Sequence, residues 1–155
     1  QISQLIADHP YTPIIESLPI KSTIWTATLI GVIGDVHRFH NYGQFRAYVG
    51  WFPRVELSGS SVHSSRLSPK GARLARNVFG QMAMTLMTPN VRETPFRLYS
   101  KSLTDRGMKP IKALGHLSGK LASVLYCCLK TNTPYDENIH RKQMSLPQLP
   151  AKVPD

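Results

Sequence analysis

The longest regular apolar pattern in the chain lies between Lys109 and Lys130, and it constrains the fold more than any other feature. Apolar side chains recur there at spacings of three and four residues: Leu114, Leu117, Leu121, Val124, Leu125 and Cys128. Side chains at these spacings share one face of an α-helix, so the segment predicts a helix with one buried face. The chain has 155 residues, of which 41% are apolar, enough to bury that face inside one domain of ordinary size.

Prolines, glycines and capping residues divide the rest of the chain into shorter predicted helices. Thr23–Gly34 is rich in β-branched residues, which favour strand, but a helical apolar stripe and Ser22 as N-cap favour a helix. The dipeptide Ser68-Pro69 is typical of a helix start, and that helix is expected to end at Pro89. Further helices are predicted over Asn41–Val49 and Phe96–Leu103, and Gln1–Ala7 has the pattern of a helix that begins before this chain does.

These elements predict a mostly α fold, a compact helical domain with a serine-rich loop insertion and a disordered C-terminal tail. Residues 1–13 are interpreted as the end of a truncated helix and a linker, and residues 14–136 as the folded domain. Residues 137–155 are interpreted as a flexible tail, because prolines at 147, 150 and 154 interrupt any regular structure there.

The charge of the chain narrows the class of partner. Lys and Arg number 19 against 9 Asp and Glu, a formal net charge of +10. No carboxylate occurs from Leu57 to Arg92, and between Thr94 and Tyr135 Asp105 is the only acid in the sequence. Such a surface repels itself unless an anion neutralises it, and the usual anion is a nucleic-acid backbone. A basic protein whose charges are merely solvated is the alternative, whereas no stretch has the aromatic amphipathic pattern of a lipid-binding helix.

Membrane insertion and secretion are not supported by the sequence. No apolar run approaches the ~18 residues needed to span a bilayer, and Gln1–Pro10 lacks the pattern of a signal peptide. The two cysteines, Cys127 and Cys128, are adjacent in an apolar stretch and are interpreted as buried thiols of a reducing compartment. We therefore expect a cytoplasmic protein.

The sequence predicts no metal site of its own. His37 and His40 have ligand spacing, but no second pair of ligands complements them, so we interpret them as helix-end or surface residues. No pair of carboxylates stands at helical spacing, and Mg²⁺ needs several convergent oxygens. Neither a P-loop nor a dinucleotide-binding glycine pattern occurs.

The serine-rich segment from Leu57 to Ser68 has two possible interpretations, a flexible linker or a nucleophile region. Arginines flank the segment, and it leads into the predicted helix start. Amide groups at a helix start, together with guanidinium groups, form a cradle for phosphate, next to which a serine is positioned to attack phosphorus. The candidate phosphate-binding residues are Arg54, Arg66, Lys70, Arg73 and Arg76. His63 is a candidate base, although the sequence gives it no partner to orient its ring.

Several blocks of sequence, in order, resemble one known family. They are Gly34-Asp35-Val36-His37-Arg38-Phe39, Tyr48-Val49-Gly50-Trp51-Phe52-Pro53-Arg54, Ser58-Gly59-Ser60-Ser61-Val62, Arg66 to Arg76, and the later run from Arg106 to Asp136. Together they resemble the C-terminal transposase domain of the IS one-ten and IS eleven-eleven insertion sequences. The resemblance extends from about Ile14 to Asp136.

The resemblance implies a DEDD transposase, related to Piv-type invertases and guided by a bridge RNA. In that family an N-terminal RuvC-like domain supplies the acidic metal site, and the domain seen here supplies a serine that attacks DNA and forms a phosphoserine intermediate. The family serine matches Ser58, with Ser60 and Ser61 as alternatives. The resemblance implies no cofactor in this chain and Mg²⁺ in the N-terminal domain.

The implied partners are DNA, a guide RNA and a RuvC-like domain of the same or another protomer. We expect a homo-oligomer when the protein is full length, in the nucleoid of a prokaryote, and a transposase that is inactive as this fragment alone. Two other functions stay open, a non-enzymatic DNA- or RNA-binding module and an oligomerisation module.

One departure from the family concerns its helix-hairpin-helix-like start. Pro19-Ile20-Lys21-Ser22 stands here where family members have a Pro-Gly-Ile-Gly-like hairpin. Without the glycines, phosphate approaches the backbone less closely, so we expect this element to pack rather than to contact DNA, with Lys21 as a partial substitute.

Overall fold

The computed structural model describes residues 1–49, 53–58, 61–67 and 72–149, and these residues form a mostly helical domain with one β-hairpin. The helices are α1 (Ile2–Ile6), α2 (Thr12–Ile15), α3 (Thr23–Ile33), α4 (Tyr42–Val49), α5 (Arg73–Met87), α6 (Pro95–Asp105), α7 (Pro110–Thr131) and α8 (Glu137–Gln143). A 3₁₀ turn covers Val36–Arg38, and the strands are β1 (Pro53–Ser58) and β2 (Ser61–Leu67). The predicted fold class, a compact and mostly helical domain, is confirmed.

The long helix α7 is the centre of the core. It contacts α2, α4, α5 and α6, and Leu117, Leu121 and Leu125 are fully buried on its inner face. Leu114, Val124 and Cys128 lie at the edges of that face and are partly buried against the same core. The apolar stripe in the sequence therefore correctly predicted which side of α7 faces inward.

Helix α3 forms despite its many β-branched residues. Leu29 and Ile33 are fully buried on one side, so packing against the core outweighs the weak preference for strand. Ser22 stands at the N-cap, but its side chain makes no capping hydrogen bond. The helix ends at Gly34, whose φ of 59° is one that side chains rarely adopt.

The start of the domain is a pair of helices, α2 and α3, joined by a turn. Ile14, Ile15 and Leu18 are buried in the core, whereas Lys21 in the turn is exposed. The burial agrees with the expectation that this helix-hairpin-helix-like element packs against the rest of the domain.

Helix α5 begins later than the sequence predicted. Ala72 is extended, with φ −80° and ψ 97°, and helical geometry begins at Arg73. The Ala72 N–H donates to the Tyr48 carbonyl oxygen at 2.6 Å, which anchors this residue to the end of α4 instead of to a preceding helical turn. The predicted helix therefore does not run unbroken through Ala72, and its predicted start at Ser68-Pro69 lies outside the described residues.

The serine-rich segment is not the loop that its composition predicted. Strands β1 and β2 pair antiparallel across it, so their backbone groups hydrogen-bond to each other. A two-residue Gly59-Ser60 connection between runs containing Val55, Leu57 and Val62 is a hairpin signal, and it outweighs the serine content.

Part of the predicted tail is folded. Asp136 caps α8 by accepting from the Asn138 and Ile139 N–H groups, and Arg141 is only 7% exposed. The Arg141 guanidinium donates to the Glu93 carbonyl oxygen at 3.3 Å and to the Pro147 carbonyl oxygen at 3.2 Å. A flexible tail therefore does not begin at residue 137, and residues 150–155 lie outside the described ones.

The cysteines are also less buried than predicted. Cys127 is exposed and Cys128 half-buried, and both are free thiols. Cys127 lies on the outer side of α7, away from the apolar stripe that suggested burial. Within the described parts of the chain, no helix is long and apolar enough to cross a membrane.

Candidate functional site

The register of the hairpin gathers several of the predicted site residues. Ser58 pairs with Ser61, Glu56 with His63, and Arg54 with Arg66. Paired residues of neighbouring strands share a face, and residues two apart on one strand share a face as well. One face of the hairpin, which we call the serine face, is therefore assigned Arg54, Glu56, Ser58, Ser61, His63 and Arg66.

An irregularity in the pairing keeps Arg66 on this face. One residue separates Arg54 from Glu56, whereas two residues, Ser64 and Ser65, separate His63 from Arg66, and the register shifts there. In a regular ladder a residue three positions from His63 lies on the opposite face. The bulge absorbs the additional residue, so that Arg66 stands opposite Arg54.

Phosphoryl transfer to a serine requires a nucleophile, a base and groups that stabilise negative charge, and the two strands contain residues of each of these types. At about 3.3 Å per residue, Ser58 is about 7 Å along the strand from Glu56 and about 13 Å from Arg54. A hydroxyl is a weak nucleophile that needs a base, and a base works best when a third group orients it. The backbone register pairs His63 with Glu56, and the two-residue connection Gly59-Ser60 was the sequence signal for that register.

Tyr48 and Ala72, which flank the segment that contains both strands, are hydrogen-bonded to each other. The hydrogen bond thus joins the two ends of that segment. Next to this point, Arg73 is exposed and Arg76 half-buried in the first turn of α5, a turn that contains no acidic residue. Of the other predicted residues, Ser60 and Lys70 lie outside the described ones.

Arg38, from the first of the family-like sequence blocks, has a structural role. Its guanidinium stacks on the rings of Phe39 and Tyr48, 4.4 and 4.3 Å from their centroids, and its Nε donates to the Ile33 carbonyl oxygen at 3.1 Å. Tyr48 is also the residue that anchors Ala72. Arg38 therefore supports the α4 end from which the hairpin segment departs.

Several carboxylates of the helical domain are engaged in its structure. Glu137 accepts from Arg92 and Arg141, and Asp105 accepts from Lys101 at 2.8 Å. Burial would raise the pKa of Glu137, but the hydrogen bonds from the two arginines hold it below its ordinary value. His37 and His40 are both exposed, and no cluster of three or more His, Cys, Asp or Glu suited to a metal ion occurs among the described residues.

Comparison with known proteins identifies relatives of the whole region. The sequence profile of the transposase IS116/IS110/IS902 family matches residues 12–97, which include α2 to α5, the hairpin and the start of α6. An insertion element IS110 uncharacterized 43.6 kDa protein of Streptomyces coelicolor is 27% identical over 139 residues, covering 90% of this chain and 34% of that protein.

Two further relatives have names that describe DNA rearrangement. The pilin gene-inverting protein of Moraxella lacunata is 26% identical over 72% of this chain and 34% of its own length. The transposase for insertion sequence element IS1111A of Coxiella burnetii is 26% identical over 78% of this chain and 33% of its own length. This chain thus spans about a third of the length of these curated relatives. Because the family profile covers more than half of the chain, the chain belongs to the transposase IS116/IS110/IS902 family, the IS one-ten group that its sequence motifs resemble.

Proposed function

We propose that this chain is the C-terminal catalytic domain of a DNA transposase, in which Ser58 attacks a DNA phosphate. Membership of the transposase family supports the reaction class. The observation that carries the assignment is the hairpin register, which pairs Ser58 with Ser61 and Glu56 with His63 on the face that Arg54 and Arg66 share. A nucleophile, a candidate base and two cations are thereby assigned to one surface.

In the proposed step, the Ser58 Oγ forms a bond to phosphorus, and the bond from phosphorus to the departing DNA oxygen breaks. His63 accepts the hydroxyl proton, and Glu56 holds the imidazole in the orientation for that transfer. Negative charge grows on the phosphate oxygens, where Arg54 and Arg66 stabilise it. The departing oxygen takes up a proton, and the product is a phosphoserine that a second strand can resolve.

The remaining cations and partners follow from the same proposal. Lys70, Arg73 and Arg76 bind the DNA backbone next to the reacting phosphate, because they follow the end of β2 within nine residues. Ser60 and Ser61 are the alternative nucleophiles, since they are within three residues of Ser58.

We assign the metal chemistry to the part of the relatives that this chain does not span. A RuvC-like domain there, of the same or another protomer, would hold Mg²⁺ on its carboxylates, and the metal would supply Lewis-acid stabilisation of charge on the DNA phosphate. A guide RNA selects the site, and the full-length protein acts as an oligomer. The carboxylates of Asp105 and Glu137 do not take part, because they are paired with Lys and Arg side chains of their own domain.

Substitution of Ser58 tests the proposal. In the full-length transposase, Ser58→Ala is expected to abolish recombination and the covalent serine–DNA adduct, because a missing nucleophile has no substitute. The free energy of unfolding is expected to change by less than about 0.5 kcal/mol, as for an ordinary surface substitution. Recombination, adduct formation and melting temperature are measured together.

Ser60→Ala and Ser61→Ala are the matched controls, since each removes one hydroxyl from the same hairpin. We expect both to keep recombination and the adduct. An active Ser58→Ala enzyme would refute the assignment, and loss of activity only in Ser60→Ala or Ser61→Ala would move the nucleophile to that residue. The alternative function is a binding or oligomerisation module without catalysis. If the chain were such a module, all three variants would behave alike.

A further inference from the structure

The outward side of α7 carries a line of basic side chains. Lys109, Lys112 and His116 are exposed and Lys120 half-buried, at spacings of three and four residues that align them on one side of the helix. At 1.5 Å per residue they extend over about 16 Å, in steps of about 5–6 Å. Lys130 lies ten residues beyond Lys120 on the same helix, with its ammonium 5.7 Å from the centroid of the Tyr126 ring. We call Lys109, Lys112, His116 and Lys120 the α7 basic edge.

This edge lacks the carboxylates that normally accompany a solvated helix surface. The sequence of α7 contains no Asp or Glu, so no i,i+4 pair of opposite charges can form on it. In the part of the chain that the structure describes, the ion pairs join Arg92, Lys101 and Arg141 to carboxylates and include no residue of the α7 basic edge. Like charges one turn apart destabilise a helix, and an anionic ligand along the edge removes that cost.

A groove continues from the end of the edge between α7 and α8. It has a volume of about 510 Å³, and its walls include Lys120, Val124, Cys127, Tyr135, Ile139 and His140. The walls are largely apolar, and the side chain of Ile139 is exposed. The groove is large enough for one nucleobase, and Tyr135 offers an aromatic ring of the kind on which bases stack.

One polar group in the groove wall has no partner. His140 is 5% exposed, and its Nδ1 shares a hydrogen bond of 2.9 Å with the Tyr135 hydroxyl. Its other ring nitrogen, Nε2, is buried and has no hydrogen-bond partner among the described residues. A buried nitrogen without a partner costs free energy, and a small rearrangement of the wall that lets a polar group of a ligand reach Nε2 would offset that cost.

We propose that the α7 basic edge and this groove bind a segment of single-stranded nucleic acid, with phosphates along Lys112, His116 and Lys120 and one unstacked base in the groove. Only an unpaired strand can turn a base into a pocket without first breaking a duplex. The residues of this site are separate in sequence from those of the serine face, and they bind nucleic acid instead of reacting with it. The proposal rests on the proposed function only because nucleic acid is the ligand in both.

The test measures the affinity of this chain for three fluorescent probes over a range of salt concentrations. The probes are a twelve-nucleotide oligothymidine, a twelve-nucleotide oligouridine and a blunt DNA duplex of twelve base pairs. We expect both single strands to bind more tightly than the duplex. Lys112→Gln with Lys120→Gln should weaken single-strand binding at least about tenfold and reduce its log–log salt slope by about 1.4, the value for two phosphates. Ser123→Phe, which fills the groove from α7, should weaken it while keeping the slope.

The matched control is Lys101→Gln with Lys142→Gln, which removes the same charge from exposed lysines of α6 and α8. We expect it to keep most of the affinity. Equal losses in the two double variants, tighter binding of the duplex, or an unchanged affinity in Ser123→Phe would each overturn the proposal. A preference for oligouridine or for oligothymidine identifies RNA or DNA as the natural source of the strand. None of these measurements depends on Ser58. The catalytic proposal can therefore fail while this proposal holds, and this proposal can fail while the catalytic proposal holds.

Discussion

Glu137 attaches helix α8 to the rest of the domain. Its carboxylate accepts from Arg92 at 3.0 Å and from the buried Arg141 at 3.1 Å, and Arg141 in turn holds the Glu93 and Pro147 carbonyl oxygens. One side chain thus connects α8 to the segment before α6. Because its partners lower the pKa of Glu137, the folded state favours the ionised carboxylate.

We predict that Glu137→Gln destabilises the chain by between about 1 and 3 kcal/mol at neutral pH, because Arg141 loses its counter-charge while it stays buried. A lowered carboxylate pKa contributes stability above the pKa of the unfolded chain, and this contribution is lost as the pH falls through the folded value. The difference in melting temperature between parent and variant should therefore shrink from neutral pH to about pH 3. Asp105→Asn, which breaks the exposed pair with Lys101, is the control and should leave the melting temperature almost unchanged at every pH. A difference that does not depend on pH would contradict this role of Glu137.

Among the elements, the hairpin differs most from its sequence-based prediction. Serine content suggested a loop, yet the paired strands create the serine face, and a bulge keeps Arg66 on it. Residues in a strand alternate between faces, so the bulge determines on which face of the hairpin Arg66 lies. Shortening the bulge therefore tests whether that face matters.

Deleting Ser64 alone should preserve recombination by the full-length transposase. One residue then remains between His63 and Arg66, which matches the single Val55 between Glu56 and Arg54, so Arg66 still stands opposite Arg54. Deleting both Ser64 and Ser65 moves Arg66 to the other face, and recombination should fall at least about tenfold, the loss expected when one charge-stabilising group is removed. Melting temperatures should be similar for the two deletions, since the helical core is unchanged. Equal activity of the two deletions would show that the face of Arg66 does not matter.

At the scale of the whole molecule, the net charge of +10 predicts binding to nucleic acid that weakens steeply with salt and depends little on sequence. Replacing Arg66, Lys70 and Arg73 together with Ala should make the log–log salt slope for duplex DNA shallower by between about 2 and 3, since each lost phosphate contact accounts for about 0.9. Fluorescence anisotropy at several salt concentrations measures this slope. A triple variant that keeps the slope of the parent would move the duplex contact away from the hairpin and α5.

The chain alone should not cleave DNA. Its described residues offer no carboxylate cluster for a catalytic metal, and it spans only about a third of the length of its relatives. Incubation with supercoiled DNA and Mg²⁺ should therefore leave the DNA uncut, whereas the full-length transposase with its guide RNA should act on DNA that contains the matching site. Metal-dependent cleavage by this chain would contradict the division of labour between domains. The cleavage activity would have to persist through repeated purification and be lost in Ser58→Ala.

The sequence by itself determined the helical class and the buried side of α7, because the 3.6-residue period that places side chains on one face is a local property of the chain. It also determined the basic character, and its family motifs predicted the correct family. It did not determine the start of α5, since the hydrogen bond from Ala72 to Tyr48 joins residues far apart in sequence. The bulge that keeps Arg66 opposite Arg54 was not predicted either, although the two-residue connection Gly59-Ser60 signalled the hairpin. The groove beside His140 likewise required the tertiary structure, because a cavity arises from contacts between segments that no single stretch of sequence encodes.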